Sequence, residues 1–165
     1  MKYLRPILFA VTLLVSAGSS AIAQQTQLSF TNNIEFGKEQ QLMFGAANKA
    51  IKGDLRGAEM DYSQVISMNA SNVDAYLQRG LIRRELKNPA GAKADGQAAA
   101  VLANKRVEQY PNKSSAYHQR GMAYRLLGNY VQAAKDVQRA YQMTHDESIR
   151  VDLQAIVLEQ KTAKP

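Results

Sequence analysis

Side chains able to run acid–base or metal chemistry are scarce in this chain. Its 165 residues include two histidines, His118 and His145, and no cysteine. The histidines stand far apart and share no metal-ligand spacing. His145-Asp146-Glu147 groups three donor side chains, but Thr144 with Glu147 three residues on is a helix capping box, which accounts for the same stretch. The glycines are dispersed, so no phosphate-cradling loop is present, and no Ser/His/Asp set has a recognisable local motif. No catalytic, metal-binding or cofactor-binding residue is expected, and the chain is expected not to be an enzyme.

What remains is positive charge. The formal net charge is +7, and residues 73–113 carry eight basic and four acidic side chains. Arg83, Arg84, Lys87, Lys93, Lys105 and Arg106 cluster there. Nucleic-acid binders combine such patches with exposed aromatics or a groove-reading motif. Neither is evident, so nucleic acid is not an expected partner. The patch reads either as a solvated face or as a site for an acidic lipid or polysaccharide.

Residues 1–23 have the layout of a secretory signal peptide. Lys2 and Arg5 open it, Ile7 to Val15 form a short apolar run, and Ala21-Ile22-Ala23 is a small-x-small cleavage site. The run is well short of the ~20 residues that span a bilayer. The mature chain is expected to begin at Gln24 and to reside in the periplasm or exterior of a bacterium, without stable membrane insertion. With no cysteine it has no disulfide to lean on, so packing alone must hold it.

The elements that position these charges are helical. Residues 24–37 are a polar lead-in that runs into a first helix, which Asn32 and Glu35 are placed to cap. From there the apolar spacing is helical almost to the end, and no segment alternates with a strand's period of two. Breaks fall at Gly53-Asp54, Asn69 to Asn72, Asn88-Pro89, Pro111-Asn112 and Gly128-Asn129. Leu42, Tyr76 and Tyr117 open equivalent helices, 34 and then 41 residues apart, and a small residue follows each: Ala46, Gly80 and Gly121. The second helices carry alanine and, three later, aspartate: Ala58 and Asp61, Ala92 and Asp95, Ala133 and Asp136.

A 34-residue period with this content resembles the tetratricopeptide repeat. The third unit matches best, through Tyr117, Gly121, Tyr124, Gly128, Ala133 and Ala140. The resemblance implies an all-α, right-handed α-solenoid over residues 38–145. Its units are 39–72, 73–113 and 114–145, and a capping helix comes after them at 146–162. It also implies that the helices of a unit cross closely at Gly80 and Gly121, with Ala92 and Ala133 opposite.

Three departures stand out. Seven extra residues precede Pro111 and should lengthen the helix beginning near Pro89 by about two turns, or ~10 Å. That overhang, near 97–110, is a candidate interaction element. Arg79 and Arg120 replace the leucine common in the family and are placed to pair with aspartates of the set Asp61, Asp95 and Asp136. Arg83 replaces a tyrosine; its stem can lie on apolar surface while its head reaches water.

In the family the first helix of each unit lines a concave groove. Here the lining would be Leu77, Leu81 and Arg84 from the second unit and His118, Met122 and Arg125 from the third. Arg84 and Arg125 would form a short positive ladder beside an apolar floor of Leu77, Leu81 and Met122. That chemistry suits a peptide bearing carboxylates. The expected function is a non-catalytic interaction module, or scaffold, of the cell envelope, with another envelope protein or its peptide segment as partner. Two alternatives remain open. One is an accessory subunit of an envelope assembly or secretion complex. The other is a polyanion-associating protein that uses the basic middle unit.

Overall fold

The computed structural model describes residues 37–163. The leader-like residues 1–23, the lead-in through residue 36 with its Asn32/Glu35 cap, and Lys164-Pro165 lie outside the described residues. The chain divides into two units, Met1–Gln40 and Gln41–Pro165. Of the first, residues 37–40 are described and helical.

The second unit is an all-α solenoid of paired helices; no strand occurs among the described residues. Helix α1 covers residues 41–51. After it come α2 (Leu55–Met68), α3 (Val73–Glu85), α4 (Pro89–Gln109), α5 (Ser114–Leu126), α6 (Tyr130–Thr144) and α7 (Glu147–Thr162). From α2 onward each helix packs on the next, and α3 also touches α5, as stacked antiparallel pairs require.

The breaks work through side-chain caps. Asp54, Asn72, Asn88 and Asn129 each accept a hydrogen bond from the backbone N–H three residues on, at 2.9, 2.9, 2.9 and 3.3 Å. Such caps contribute about 1 kcal/mol apiece. Lys113, at the head of α5, gives no side-chain cap. The residues before three of the caps, Gly53, Lys87 and Gly128, sit at φ 84°, 61° and 75°. Glycine adopts that left-handed geometry freely, whereas Lys87 holds it at a cost of about 1 kcal/mol.

The start of α7 differs from the sequence expectation. Asp146, not Thr144, is its cap, accepting from Ser148 N–H at 2.8 Å and Ser148 Oγ at 2.7 Å. Thr144 still belongs to α6, where its hydroxyl donates to the Ala140 carbonyl. His145 ends that helix at φ 54°. A box centred on Thr144 fails because the chain needs one left-handed residue to turn before it can restart.

The interior is built from small residues. Ala46, Ala58, Ala99, Ala103, Ala123, Ala133 and Ala140 are all fully buried. They let helix axes approach closely, which is how an alanine-rich core reaches normal packing density. Gly121 is the tightest crossing. A Cβ built there would meet Val137 Cγ2 at 2.6 Å and the Ala133 carbonyl oxygen at 3.0 Å. Gly80 is more forgiving, since its nearest obstacle is the movable tip of Leu126 at 2.7 Å, with the Ala92 carbonyl at 3.5 Å. Helix α4 is long for this fold, at 21 residues against 14 for α2 and 15 for α6. Its buried stripe of Ala92, Asp95, Gly96, Ala99, Ala100 and Ala103 faces both α3 and α5.

Candidate functional site

The charged side chains fall into three groups, distinguished by what answers them. The first group lies in the seams between paired helices. Arg79 grips buried Asp95 through Nε and Nη2, at 3.1 and 2.6 Å. Arg120 grips Asp136 in the same way, at 2.7 Å for both bonds. The fork of a guanidinium matches a carboxylate bidentately, which gives these pairs geometric specificity. The hydrogen bonds that Arg120 donates to Asp136 hold its guanidinium above its ordinary pKa, against the opposing effect of burial. Arg83 also belongs here. Its Nε donates to Glu59 at 2.7 Å and its Nη1 to Asp95 at 3.0 Å. The expectation that its head reaches water is therefore corrected: two carboxylates on neighbouring helices hold it. In the first pair Gly45 occupies the place of Arg79 and Arg120, and Lys49 reaches Asp61 instead, at 2.7 Å.

The second group is the expected groove lining on α3 and α5. Leu77 is not an open floor. It is 6% exposed and packs with Val73, Ala99, Ala103 and Ala123, because α4 and α5 close over it. Leu81 is half-buried, and Met122 is half-buried between two core clusters. The structure brings Arg84 and Arg125 together, but α7 answers their charge. Arg125 donates to Glu159 from Nε and Nη2 at 3.0 and 2.7 Å, and Arg84 Nη1 lies 3.7 Å from the same carboxylate. His118 Nε2 lies 2.8 Å from Asp152 Oδ2. The free positive ladder is thus corrected to a ladder closed by the terminal helix. The hydrogen bonds from Arg125 hold the Glu159 carboxyl below its ordinary range, with burial opposing and the charges of Arg125 and Arg84 adding to the effect.

Glu159 and Asp152 were not singled out from the sequence, although a signal was present. The acids are seven residues apart, as are His118 and Arg125. Two helices lying side by side bring such matched heptads into register.

The repeat residues fall where the helices meet. Ala46, Ala58, Ala92, Tyr117 and Ala133 are buried, and Tyr76 and Tyr124 pack at the edges of core clusters. Tyr117 donates its hydroxyl to the Pro111 carbonyl at 3.0 Å, and two guanidiniums approach its ring, Arg120 at 5.6 Å and Arg139 at 4.5 Å.

The third group lies at the far end of α4. A hollow of about 470 Å³ opens between that end, the turn after it and the head of α5. Lys105, Arg106 and Lys113 line it, and no carboxylate does. The basic cluster read from the sequence is therefore divided by the fold. Arg83 and Arg84 are ion-paired, Lys87 and Lys93 are exposed near the other end of α4, and Lys105 and Arg106 turn to this hollow. Among the described residues no group of three or more His, Cys, Asp or Glu side chains is placed to hold a metal ion. None of the described helices is long and apolar enough to cross a membrane.

Comparison with known proteins bears on the fold. The TPR2B domain of yeast Sti1, solved as a pHsp70 complex, aligns over 77% of this chain and 98% of its own, with a TM-score of 0.52 and 18% identity. The chain has a tetratricopeptide-like fold. The first TPR domain of human RPAP3 aligns over 75% of this chain and 93% of its own, with a TM-score of 0.51 and 20% identity. The first TPR of Spaghetti, bound to the HSP90 peptide SRMEEVD, aligns over 78% of this chain and 95% of its own, with a TM-score of 0.50 and 22% identity. No family model matches the chain. A FAM10 family protein of Arabidopsis thaliana is 30% identical over 113 residues, which is 68% of this chain. The chain spans about a quarter of that relative's length, at 24%.

Proposed function

We propose that this protein is a non-catalytic interaction module that takes a peptide segment of a partner protein, and that it does so in a bacterial cell envelope. The observation that carries the reading is the face made by α3 and α5. It combines half-buried Leu81 and Met122 with cationic Arg84, Arg125 and His118, and it already accommodates one segment that bears carboxylates, α7. In the place that α7 holds, such a surface would take an apolar, acidic peptide by packing its stem and pairing its charges. Two structures of similar fold, from Spaghetti and from yeast Sti1, are described as carrying an HSP90 peptide and as a pHsp70 complex, which supports the same class of activity here. The envelope setting is supported by the leader-like layout of residues 1–23.

A second reading is favoured by α4 itself. Val101 and Tyr110 are 58% and 55% exposed towards the end of this long helix. Exposed apolar side chains on so long a helix suit constitutive docking into a larger assembly.

Affinity capture from the cell's own envelope fraction tests both readings. Wild type runs beside Leu81→Glu/Arg84→Glu and beside a form shortened by two turns in α4. One partner retained by wild type and lost by the groove variant supports the module. Loss with the shortened helix alone supports the subunit, and no specific partner sinks both. Sequencing the N-terminus of the recovered protein checks export, which predicts a start at Gln24.

A further inference from the structure

We propose that the hollow at the end of α4 is a binding site for an acidic peptide segment, separate from the α3–α5 face; this rests on the interaction-module reading and names the site and the partner's chemistry. The argument begins with charge balance. Among the described residues, the cations of the seams and of the α3–α5 face meet carboxylates: Asp95, Asp136 and Glu59 in the seams, Glu159 on the face. The hollow differs from both. Three cations converge on about 470 Å³ and no acidic side chain lines it. That volume is within the ~300–1,000 Å³ of specific ligand pockets.

Two of the three cations are held, and by neutral groups. Arg106 Nη1 donates to Gln119 Oε1 at 3.0 Å. Gln119 in turn donates from Nε2 to Asp74 Oδ1 at 2.9 Å. A neutral amide thus stands between Arg106 and the one carboxylate in that chain of bonds. The guanidinium keeps its full charge and most of its five N–H donors. Lys113 Nζ lies 5.6 Å from the centroid of the Tyr110 ring, a cation–π contact that holds the ammonium at the rim. Lys105 is exposed, without an ion-pair partner among the described residues. Positioned, unneutralised donors in a concave site are what carboxylates bind, because little reorganisation is needed on binding.

The ligand's class is set by the surroundings. A polymeric anion such as nucleic acid or polysaccharide needs a track of free cations along its backbone. Here the neighbouring arginines are already paired, and Lys93 lies twelve residues back along α4, about 18 Å away. The positive charge is a spot rather than a stripe. The hollow also offers the Ser115 hydroxyl and the Tyr110 ring, which suit a peptide's polar backbone and its side-chain stems.

The test is fluorescence anisotropy on the purified protein, whole, with a short labelled peptide of aspartate and glutamate. The same peptide in asparagine and glutamine is the control. Lys105→Glu/Lys113→Glu alters the hollow, Lys105→Gln/Lys113→Gln only removes its charge, and Arg84→Gln alters the other face. These lysines are exposed, so thermal melts of the variants should match wild type. The proposal expects saturable binding of the acidic peptide alone. The Gln pair should weaken it and the Glu pair should weaken it further, by roughly tenfold or more. Lys93→Gln, at an exposed lysine near the other end of α4, should leave it unchanged. Equal binding by the Glu pair overturns the proposal. Loss with Arg84→Gln alone also overturns it, but leaves the module reading standing at the α3–α5 face. No peptide binding by a protein that still captures its envelope partner has the same meaning. Polyphosphate that binds wild type more tightly as its chain lengthens, and displaces the peptide, replaces the site with a polyanion surface.

Discussion

Arg120 and Lys113 are seven residues apart and meet opposite fates. Arg120 lies in the seam between α5 and α6 with both oxygens of Asp136 in its fork. Lys113 stands at the rim of the α4 hollow over a tyrosine ring, with no carboxylate in the lining. Net charge counts the two alike. The fold uses one to fix how two helices cross and leaves the other uncommitted. A cation is therefore informative only together with what answers it, and at the end of α4 three line one hollow that no carboxylate lines.

Breaking the seam should cost most. Asp95→Ala leaves Arg79 and Arg83 partly buried without their shared carboxylate, and a loss of about 3–5 kcal/mol is expected in urea unfolding. Replacing Arg120 and Asp136 together by Met and Leu should be far milder than Asp136→Ala, because no orphaned charge remains. Steric contrast comes next. Gly121→Val, where α5 and α6 nearly touch, should cost about 1–3 kcal/mol, while Ser115→Val at the open hollow should be close to neutral.

Glu159→Gln weakens the grip of α7 on Arg125 and Arg84, with an expected loss of about 1–2 kcal/mol. The folded pKa of Glu159 is lowered, so its contribution is complete above the ordinary glutamate range, near 4.3. It is lost as pH falls through the lower folded value. Acid melts should show that loss in wild type, and Glu159→Gln should flatten it. The smallest effect closes the comparison: Lys113→Ala should change stability by less than about 0.5 kcal/mol. A seam-sized loss there would mean that the two cations are not different after all.

The fold class was legible because small residues, aspartates and Asx breaks recur at fixed offsets, and helix crossings demand small residues there. The Arg–Asp seams were legible for a related reason: Arg79 to Asp95 and Arg120 to Asp136 are both sixteen residues. Lys49 broke that register, reaching Asp61 from another turn where Gly45 has no side chain to offer. The closure of Arg84, Arg125 and His118 was not legible from the repeat, because its partners lie on α7, outside the repeating pattern. Leu77 misled for a different reason. The stripe that faces a groove and the stripe that faces the next helix overlap on α3, and only the packed positions of α4 and α5 separate them. The hollow needs a lysine from a turn beside an arginine from a helix, a juxtaposition that charge counting along the chain does not give.

The contacts of α7 also act as a stop codon written in side chains. Arrays of this kind lengthen by duplicating a unit, and each copy must accept its predecessor. Helix α7 accepts α5 through Asp152 on His118 and Glu159 on Arg125, a heptad of acids on a heptad of cations. A copy inserted before α7 would inherit the terminator only if it carried cations at those same two places. Duplicating residues 114–145 preserves the match, since His118 and Arg125 travel with the copy. A copy of residues 73–113 inserted directly before α7 keeps an arginine for Glu159, in Arg84, but sets Leu77 opposite Asp152. The terminator therefore asks of the unit beside it a histidine and an arginine seven residues apart, and the third unit supplies both.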